Sequence, residues 1–392
     1  MNRFRISTPE GTRDLLFSSC RALRQTENAV RDALEERGYS EIITPAVEYF
    51  DVFAQANPEL DQDQMLKIID KSGRICVARP DNTTPIARIA ATRLDDAALP
   101  VRLYYSQKVF RSVSGDHGHK GEFLQVGAEL IGADGLAADK DILSAAFAAL
   151  SRTGADNFRI ELGHAEIYKA LIEELGADAA SSEAIRRLIE NKSFAALGDA
   201  LQPFGSRPAA KALSAMPQLF GGIEVLDEVE TLTGNVRVLG AIAYLRRLYQ
   251  ALDEAGYGDR IMIDLGLVHE MDYYTGIMFR GYIGGAGAAI LAGGRYNALC
   301  AKFGRDLPAG GFGIDVESVA ESLQGASRPE VATRRDTVRI ALTKGRLAKK
   351  TLELLEKVGI TCEEMKDKDS RKLIFVNEEL KDDEITYIEA WN

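Results

Sequence analysis

Two stretches limit most strongly what this chain folds into: PVRLYYSQKVFRSV, starting at Pro100, and GEFLQVGAELIG, starting at Gly121. Both are rich in aliphatic, aromatic and β-branched residues, with polar positions interleaved at the two-residue period of a strand. A short connection of glycine, serine, aspartate and histidine joins them, so they read as neighbouring antiparallel strands. Gln125 and Glu129 are four residues apart on the second strand and project from one side of the sheet. Arg111 ends the first, where a guanidinium can fork onto a carboxylate or phosphate. A carboxylate and an amide on one face suit an ammonium group and a polar side chain. A solvent-facing ladder of polar residues has the same pattern. Between Arg111 and Glu122 the fixed positive charge is Lys120, with no arginine.

The rest of the chain alternates between helical and strand periods. Residues 16–38 have helical spacing and stop at Gly38. YSEIITPAVEYFDVF, broken at Pro45, predicts a strand leading into a further element. RICVARPDNTTPIARIAATRL predicts a strand, a turn from Pro80 to Asn82 and a helix, with Asp81 or Thr83 as N-cap and Pro85 in the first turn. An Ala-rich helix is expected over 138–154, and NFRIELG alternates as a strand. From about 165 to 256 helical patterns follow one another without a convincing strand, which marks a helical insertion. Strand character returns in IMIDLGL, YYTGIMFRGYI and GAAILAGG, and AGGFGIDVESVAESL turns through glycines into a helix. The expected architecture is α+β: over residues 1–324, an antiparallel sheet flanked by helices and interrupted by a helical module. Residues 325–336 have the composition of a linker, and 337–392 begin a separate short α/β segment. There Leu347, Leu354, Leu355 and Val358 share one helix face.

The bulk charge narrows the function. A 392-residue chain with net charge −11 and pI near 5.1 repels a polyphosphate backbone, which weighs against non-specific nucleic-acid binding. It contains no apolar stretch of signal-peptide type and no run of membrane-spanning length. Cys20, Cys76, Cys300 and Cys362 include no CxxC pair, so neither a disulfide framework nor a zinc ribbon is expected, and a reducing cytoplasm fits. His117 and His119 form an HxH pair without a third ligand and read as part of a solvated loop. His164 and His269 are isolated and read as structural. No metal or cofactor is expected.

Three further stretches hold residues able to meet a ligand. MDYYTG places Tyr273 and Tyr274 ahead of a strand, where tyrosines line a pocket or simply pack. In LAGGRYNAL two glycines precede Arg295 and Tyr296 and permit close approach of a ligand to the backbone. In LTKGRL, Lys344, Gly345 and Arg346 lie between a strand and a helix N-terminus, which suits an anion without the spacing of a P-loop. A basic solvated turn reads equally well there.

In their order along the chain, PEGTRDLL, ITPAVEYFDVF, RPDNTTPIAR, YYSQKVFR…GEFLQVGAELIG, LVHEMDYYTG, LAGGRYNAL and GGFGIDVE resemble the histidyl-tRNA synthetase catalytic domain, from residue 5 to about 324. The resemblance implies a six-stranded antiparallel class II sheet and a dimer formed partly around the Pro45 segment. It also implies a histidine pocket, to which Asp81, Thr83, Arg111, Gln125, Glu129, Tyr273 and Tyr274 correspond, with Glu129 and Gln125 taking the amino group and neighbouring polar atoms. The departures fall on cationic positions. Gly121 stands where the synthetases have an ATP-binding arginine, and Ser114 and His119 where other basic residues are expected. His269 replaces the catalytic arginine before the tyrosine pair, and Ser318 the arginine of the last motif. An acyl-adenylate transition state needs preorganised positive charge, and losing one such group costs about two to three orders of magnitude in rate.

Keeping a histidine pocket while losing ATP chemistry resembles the ATP phosphoribosyltransferase regulatory subunits, synthetase paralogues that bind a short-form catalytic subunit and confer feedback inhibition by histidine. The segment from Val338, VRIALTKGRLAKKTLELLEKVGITCEEMKDKDSRKLIFVNEEL, resembles the opening of that catalytic subunit, in which the Lys-Gly-Arg turn lies in the active-site cleft. The later phosphoribosyl-diphosphate loop has no counterpart, so no transferase activity is expected of the segment alone. The resemblance implies a non-catalytic regulatory subunit of the first step of histidine biosynthesis. Its implied partners are the short-form catalytic subunit, a second copy of the chain and L-histidine, with no tRNA and no membrane. The alternatives are an active histidyl-tRNA synthetase-like enzyme and a free-standing histidine-binding paralogue.

Overall fold

The computed structural model describes residues 8–56, 65–112, 120–268 and 274–326, with strand residues 339–341, 374–375 and 387–389. It divides into two units, Met1–Ala326 and Ser327–Asn392. Unit 1 begins with α1 (Phe17–Glu35), β1 (Ser40–Glu41), β2 (Val47–Tyr49), α2 (Phe50–Ala56), β3 (Lys67–Ile69), β4 (Ile75–Ala78), α3 (Thr83–Arg93), β5 (Val101–Phe110), β6 (Glu122–Ile131), α4 (Leu136–Arg152) and β7 (Phe158–His164). The helical module follows: α5 (Ala165–Leu175), α6 (Ala179–Glu190), α7 (Phe194–Leu201), α8 (Pro208–Ala215), β8 (Phe220–Gly221), α9 (Val225–Leu232) and α10 (Val236–Asp253). The chain then returns to the sheet with β9 (Ile261–Asp264), β10 (Ile277–Ile283), β11 (Leu291–Arg295), β12 (Ala309–Asp315) and α11 (Val316–Ala326). The first two residues of the expected 325–336 linker therefore belong to a helix.

The large sheet has the order β1-β5-β6-β12-β11-β10-β7-β9-β8. From β5 to β7 every pairing is antiparallel, which gives the six-stranded core that the sequence implies. Both edges are extended by parallel additions, β1 on β5 and β9 on β7. The two-residue β8 pairs with β9 and interrupts the helical run in which no strand is expected. A strand that short imposes no alternation on the sequence.

The alternation of β6 decides what each face of the sheet does. Leu124, Val126, Ala128 and Leu130 enter the main core, where α1 and α4 cover them. Ile142, Leu143, Ala146, Phe147 and Leu150 recur on the buried side of α4 at helical spacing. Phe147 is fully buried and stacks on Tyr257 at 4.4 Å between ring centroids. The opposite face carries Glu129 and Gln125 and is covered by α3, whose Ile86, Ala87 and Ala90 pack with Tyr105, Ile131, Met278 and Leu299. The N-cap position of α3 is Asn82, neither of the two candidates, but Asp81 just before it supplies the side-chain bond, accepting the Thr84 N–H at 2.7 Å.

His164 leads into α5, and its Nδ1 accepts the Glu166 N–H at 3.2 Å. Burial pushes its pKa down to about 4, so it is a neutral helix cap at ordinary pH. A separate small sheet, β2-β4-β3, leaves Val47, Tyr49, Ile68, Ile69 and Ile75 exposed, and Ile43, ahead of β2 in the chain, is exposed as well. In unit 2, β13 (Arg339–Ala341) pairs parallel with β15 (Tyr387–Glu389), and β14 (Ile374–Phe375) pairs antiparallel with β15. Lys344, Gly345 and Arg346 lie outside the described residues, as do His117, His119, His269 and Tyr273. Among the described residues no helix is long and apolar enough to cross a membrane, and no group of three metal-ligating side chains occurs.

Candidate ligand pocket

The pocket is assembled around the turn between β4 and α3. Arg79 fixes that turn: its guanidinium donates to the carbonyls of Lys108 and Thr44 at 2.8 Å each and to Gln107 Oε1 at 2.6 Å. The turn is thereby tied to β5, and the N-terminus of α3 is held over the strand that carries Gln125 and Glu129. Arg79 precedes a Pro-Asp pair in sequence, but its role depends on carbonyl partners distant in the chain that no local pattern reveals.

Glu129 is completely buried. One oxygen accepts the Thr83 hydroxyl at 2.7 Å, and the other accepts the Tyr296 hydroxyl in a short hydrogen bond. Burial raises its pKa from 4.5 to about 8, against the two hydroxyl bonds and with some help from the charge of Asp81. At neutral pH Glu129 is therefore a largely uncharged carboxyl group. Half-buried Asp81 is also raised by burial, opposed by its hydrogen bonds to Thr84 and by the charge of Arg111. A ligand bringing a positive charge would ionise this pair and compensate for its desolvation.

Gln125 lies farther along the same face. Its Oε1 accepts from Asn82 Nδ2 at 3.0 Å and from the buried Tyr105 hydroxyl at 3.2 Å. Tyr274 is buried with Met278 and Tyr296 in the apolar cluster on this face. Of the residues predicted for the pocket, Asp81, Thr83, Gln125, Glu129 and Tyr274 thus gather around one side of the sheet. Arg111 is exposed and stands with its guanidinium carbon 5.6 Å from the Phe123 ring centroid, forming no ion pair among the described residues. Tyr105 and Asn82 were not evident as pocket residues. Tyr105 is recognisable only through the cross-strand register that sets it opposite Gly127, between Gln125 and Glu129. In LAGGRYNAL the two side chains separate. Tyr296 reaches Glu129, whereas Arg295 turns to the opposite face and pairs with buried Asp139 at 2.5 Å.

Two cations near this end of the sheet, unlike Arg111, are already engaged. Lys120 Nζ lies 3.1 Å from Asp315 and 2.8 Å from the Ser318 hydroxyl. Arg13 pairs with Glu317 at 3.2 Å and with Glu321 in a shorter contact. Glu317 is itself buried and accepts the Leu124 N–H at 2.9 Å. Acidic side chains that hold both cations leave less positive field for a polyphosphate than free lysine and arginine would.

The histidyl-tRNA synthetase family model matches residues 11–319, and the sheet, the α3 turn and the pocket together define a protein of the class II synthetase type. The ATP phosphoribosyltransferase regulatory subunit of Clostridium kluyveri is 41% identical over 327 residues, covering 83% of this chain and 84% of that protein. The corresponding protein of Bacillus cereus is 36% identical over 363 residues, covering 92% and 86%. A solved structure from Bacillus halodurans, described as an ATP phosphoribosyltransferase regulatory subunit/histidyl-tRNA synthetase, superposes with a TM-score of 0.76 at 29% identity and covers 91% of each chain. The histidyl-tRNA synthetase of a Nostoc species shares the fold, with a TM-score of 0.68 at 21% identity, covering 91% of this chain and 85% of that one. The chain belongs to the ATP phosphoribosyltransferase regulatory subunit family.

Proposed function

We propose that this chain does not aminoacylate but activates a short-form ATP phosphoribosyltransferase catalytic subunit and makes it sensitive to inhibition by L-histidine. The observation that carries this reading is the contrast between the pocket and two cations near the Gln125 end of the sheet. The carboxyl, hydroxyl and amide groups of Glu129, Thr83 and Gln125 are intact and converge. The neighbouring cations Lys120 and Arg13 are neutralised by Asp315, Glu317 and Glu321. Such a pocket suits an amino acid better than a nucleoside triphosphate. Histidine here would favour an inhibited arrangement of the complex, and the coupling must be reciprocal: the state of the catalytic subunit must change histidine affinity by the same factor.

The reading includes a second copy of the chain. The exposed apolar residues of the small sheet adjoin the Pro45 segment, and a second copy would remove them from water.

The test is reconstitution. Purified chain mixed with the short-form catalytic subunit should co-elute in size-exclusion chromatography and raise its transferase rate well above that of the catalytic subunit alone. Separate elution with no change in rate would remove the proposal. Histidine-dependent ATP–diphosphate exchange by the chain alone would replace it with a synthetase-like activity.

A further inference from the structure

Asn82 is fully buried, and its side chain is not the cap of α3, because Asp81 satisfies the Thr84 N–H. Its Nδ2 donates to Gln125 Oε1, while its Oδ1 has no hydrogen-bond partner. An unpaired buried acceptor is destabilising, so neither helix capping nor packing accounts for an asparagine here. The bond to Gln125 does account for it. With Tyr105 also donating to the same oxygen, the Gln125 amide is held one way round. With the Asn82 amide as it stands, turning over Gln125 alone would set its NH2 group against the Asn82 NH2 group, donor against donor. In the observed orientation Nε2 lies over Gly313, 2.5 Å from where a Cβ of that residue would stand. Gly313 and Gln125 are both half-buried, so this side of the amide is not sealed from solvent.

We propose that Asn82 is a positioning residue: it holds the Gln125 amide donor-outward, so that this end of the pocket accepts the carboxylate of a bound amino acid. The inference rests on the histidine-site reading above and adds a polarity to it. Glu129 offers oxygen to the N–H-bearing end of the ligand, and Gln125 offers N–H to its anionic end. A carboxylate takes a charge-assisted bond there that an alcohol oxygen does not match.

The test compares L-histidine with L-histidinol, which carries a hydroxymethyl group in place of the carboxylate, by calorimetric titration of wild type, Asn82→Ala and Asn82→Gly. Either substitution, in protein shown to be folded by circular dichroism, should weaken L-histidine about tenfold, the worth of one hydrogen bond, with little change for L-histidinol. In a Gln125→Ala background, adding Asn82→Ala should leave the ratio of the two affinities unchanged, because Asn82 acts through Gln125. Equal weakening of both ligands, unchanged histidine affinity, or a further change of the ratio without Gln125 would overturn the inference while leaving the histidine site in place. Failure of the wild type to bind either ligand would overturn both.

Discussion

Gly311 lies directly beneath Glu129: a Cβ on residue 311 would stand 1.8 Å from Glu129 Oε2 and 2.3 Å from the Ala128 carbonyl oxygen. The carboxyl rests on bare backbone, and that allows it to meet Thr83 and Tyr296 together. Gly311→Ala should therefore push Glu129 out of place. The variant is expected to lose about 1–3 kcal/mol of stability by overpacking and to bind histidine at least tenfold more weakly. Wild-type affinity in a folded Gly311→Ala protein would show that the carboxyl position does not matter.

Glu129 should also leave a signature in stability against pH. Its folded-state value of about 8 lies above the ordinary 4.5, so between these values the folded protein holds a proton that the unfolded chain releases. The stabilisation is complete below the unfolded value and is lost as pH rises through about 8. The slope from this group is at most about 1.4 kcal/mol per pH unit. Asp81 is raised as well, so the two carboxyls titrate as a pair. The melting temperature of Glu129→Gln relative to wild type should accordingly climb between pH 5 and pH 8. Parallel curves would place the Glu129 titration elsewhere. Ligand binding near pH 7 should release close to one proton, detectable as a dependence of calorimetric heat on buffer ionisation enthalpy.

The sequence makes the strands and the carboxyl legible for the same reason. β5 and β6 are long, and their period is strong enough to set Gln125 and Glu129 on one face. What surrounds them depends on non-local placement. Asn82 matters because the turn bound by Arg79 brings α3 over β6, and Tyr105 because of its register opposite Gly127. Both facts depend on partners on other strands, Lys108 and Gln107 for Arg79 and Gly127 for Tyr105. Arg295 and Tyr296 show the reverse limit. They are adjacent and chemically inviting, yet the strand end sends one to Asp139 and the other to Glu129.

Ile69 on the small β2-β4-β3 sheet and Ile43 ahead of β2 in the chain are 74% and 78% exposed, an apolar surface that calls for a partner. If the proposed second copy docks there, Ile69→Glu, alone or with Ile43→Asp, should lower the mass in sedimentation equilibrium from dimer to monomer. An unchanged mass would move the self-association surface elsewhere.

Phe147 offers a control remote from the pocket. It fills the core on the other face of the sheet, against Tyr257 and Phe158. Phe147→Ala should cost about 3–5 kcal/mol in denaturant unfolding and leave histidine affinity within a factor of two in conditions where the protein stays folded. A large loss of affinity would show that the two faces are energetically coupled.

The most direct test of the account is histidine inhibition of the reconstituted transferase, measured with wild type and with Glu129→Gln. The account predicts that both proteins activate the short-form catalytic subunit equally. Histidine should inhibit the wild-type complex, and the variant should need at least tenfold more. Equal inhibition of the two complexes would contradict it, because the effector would then act at a site that does not include Glu129.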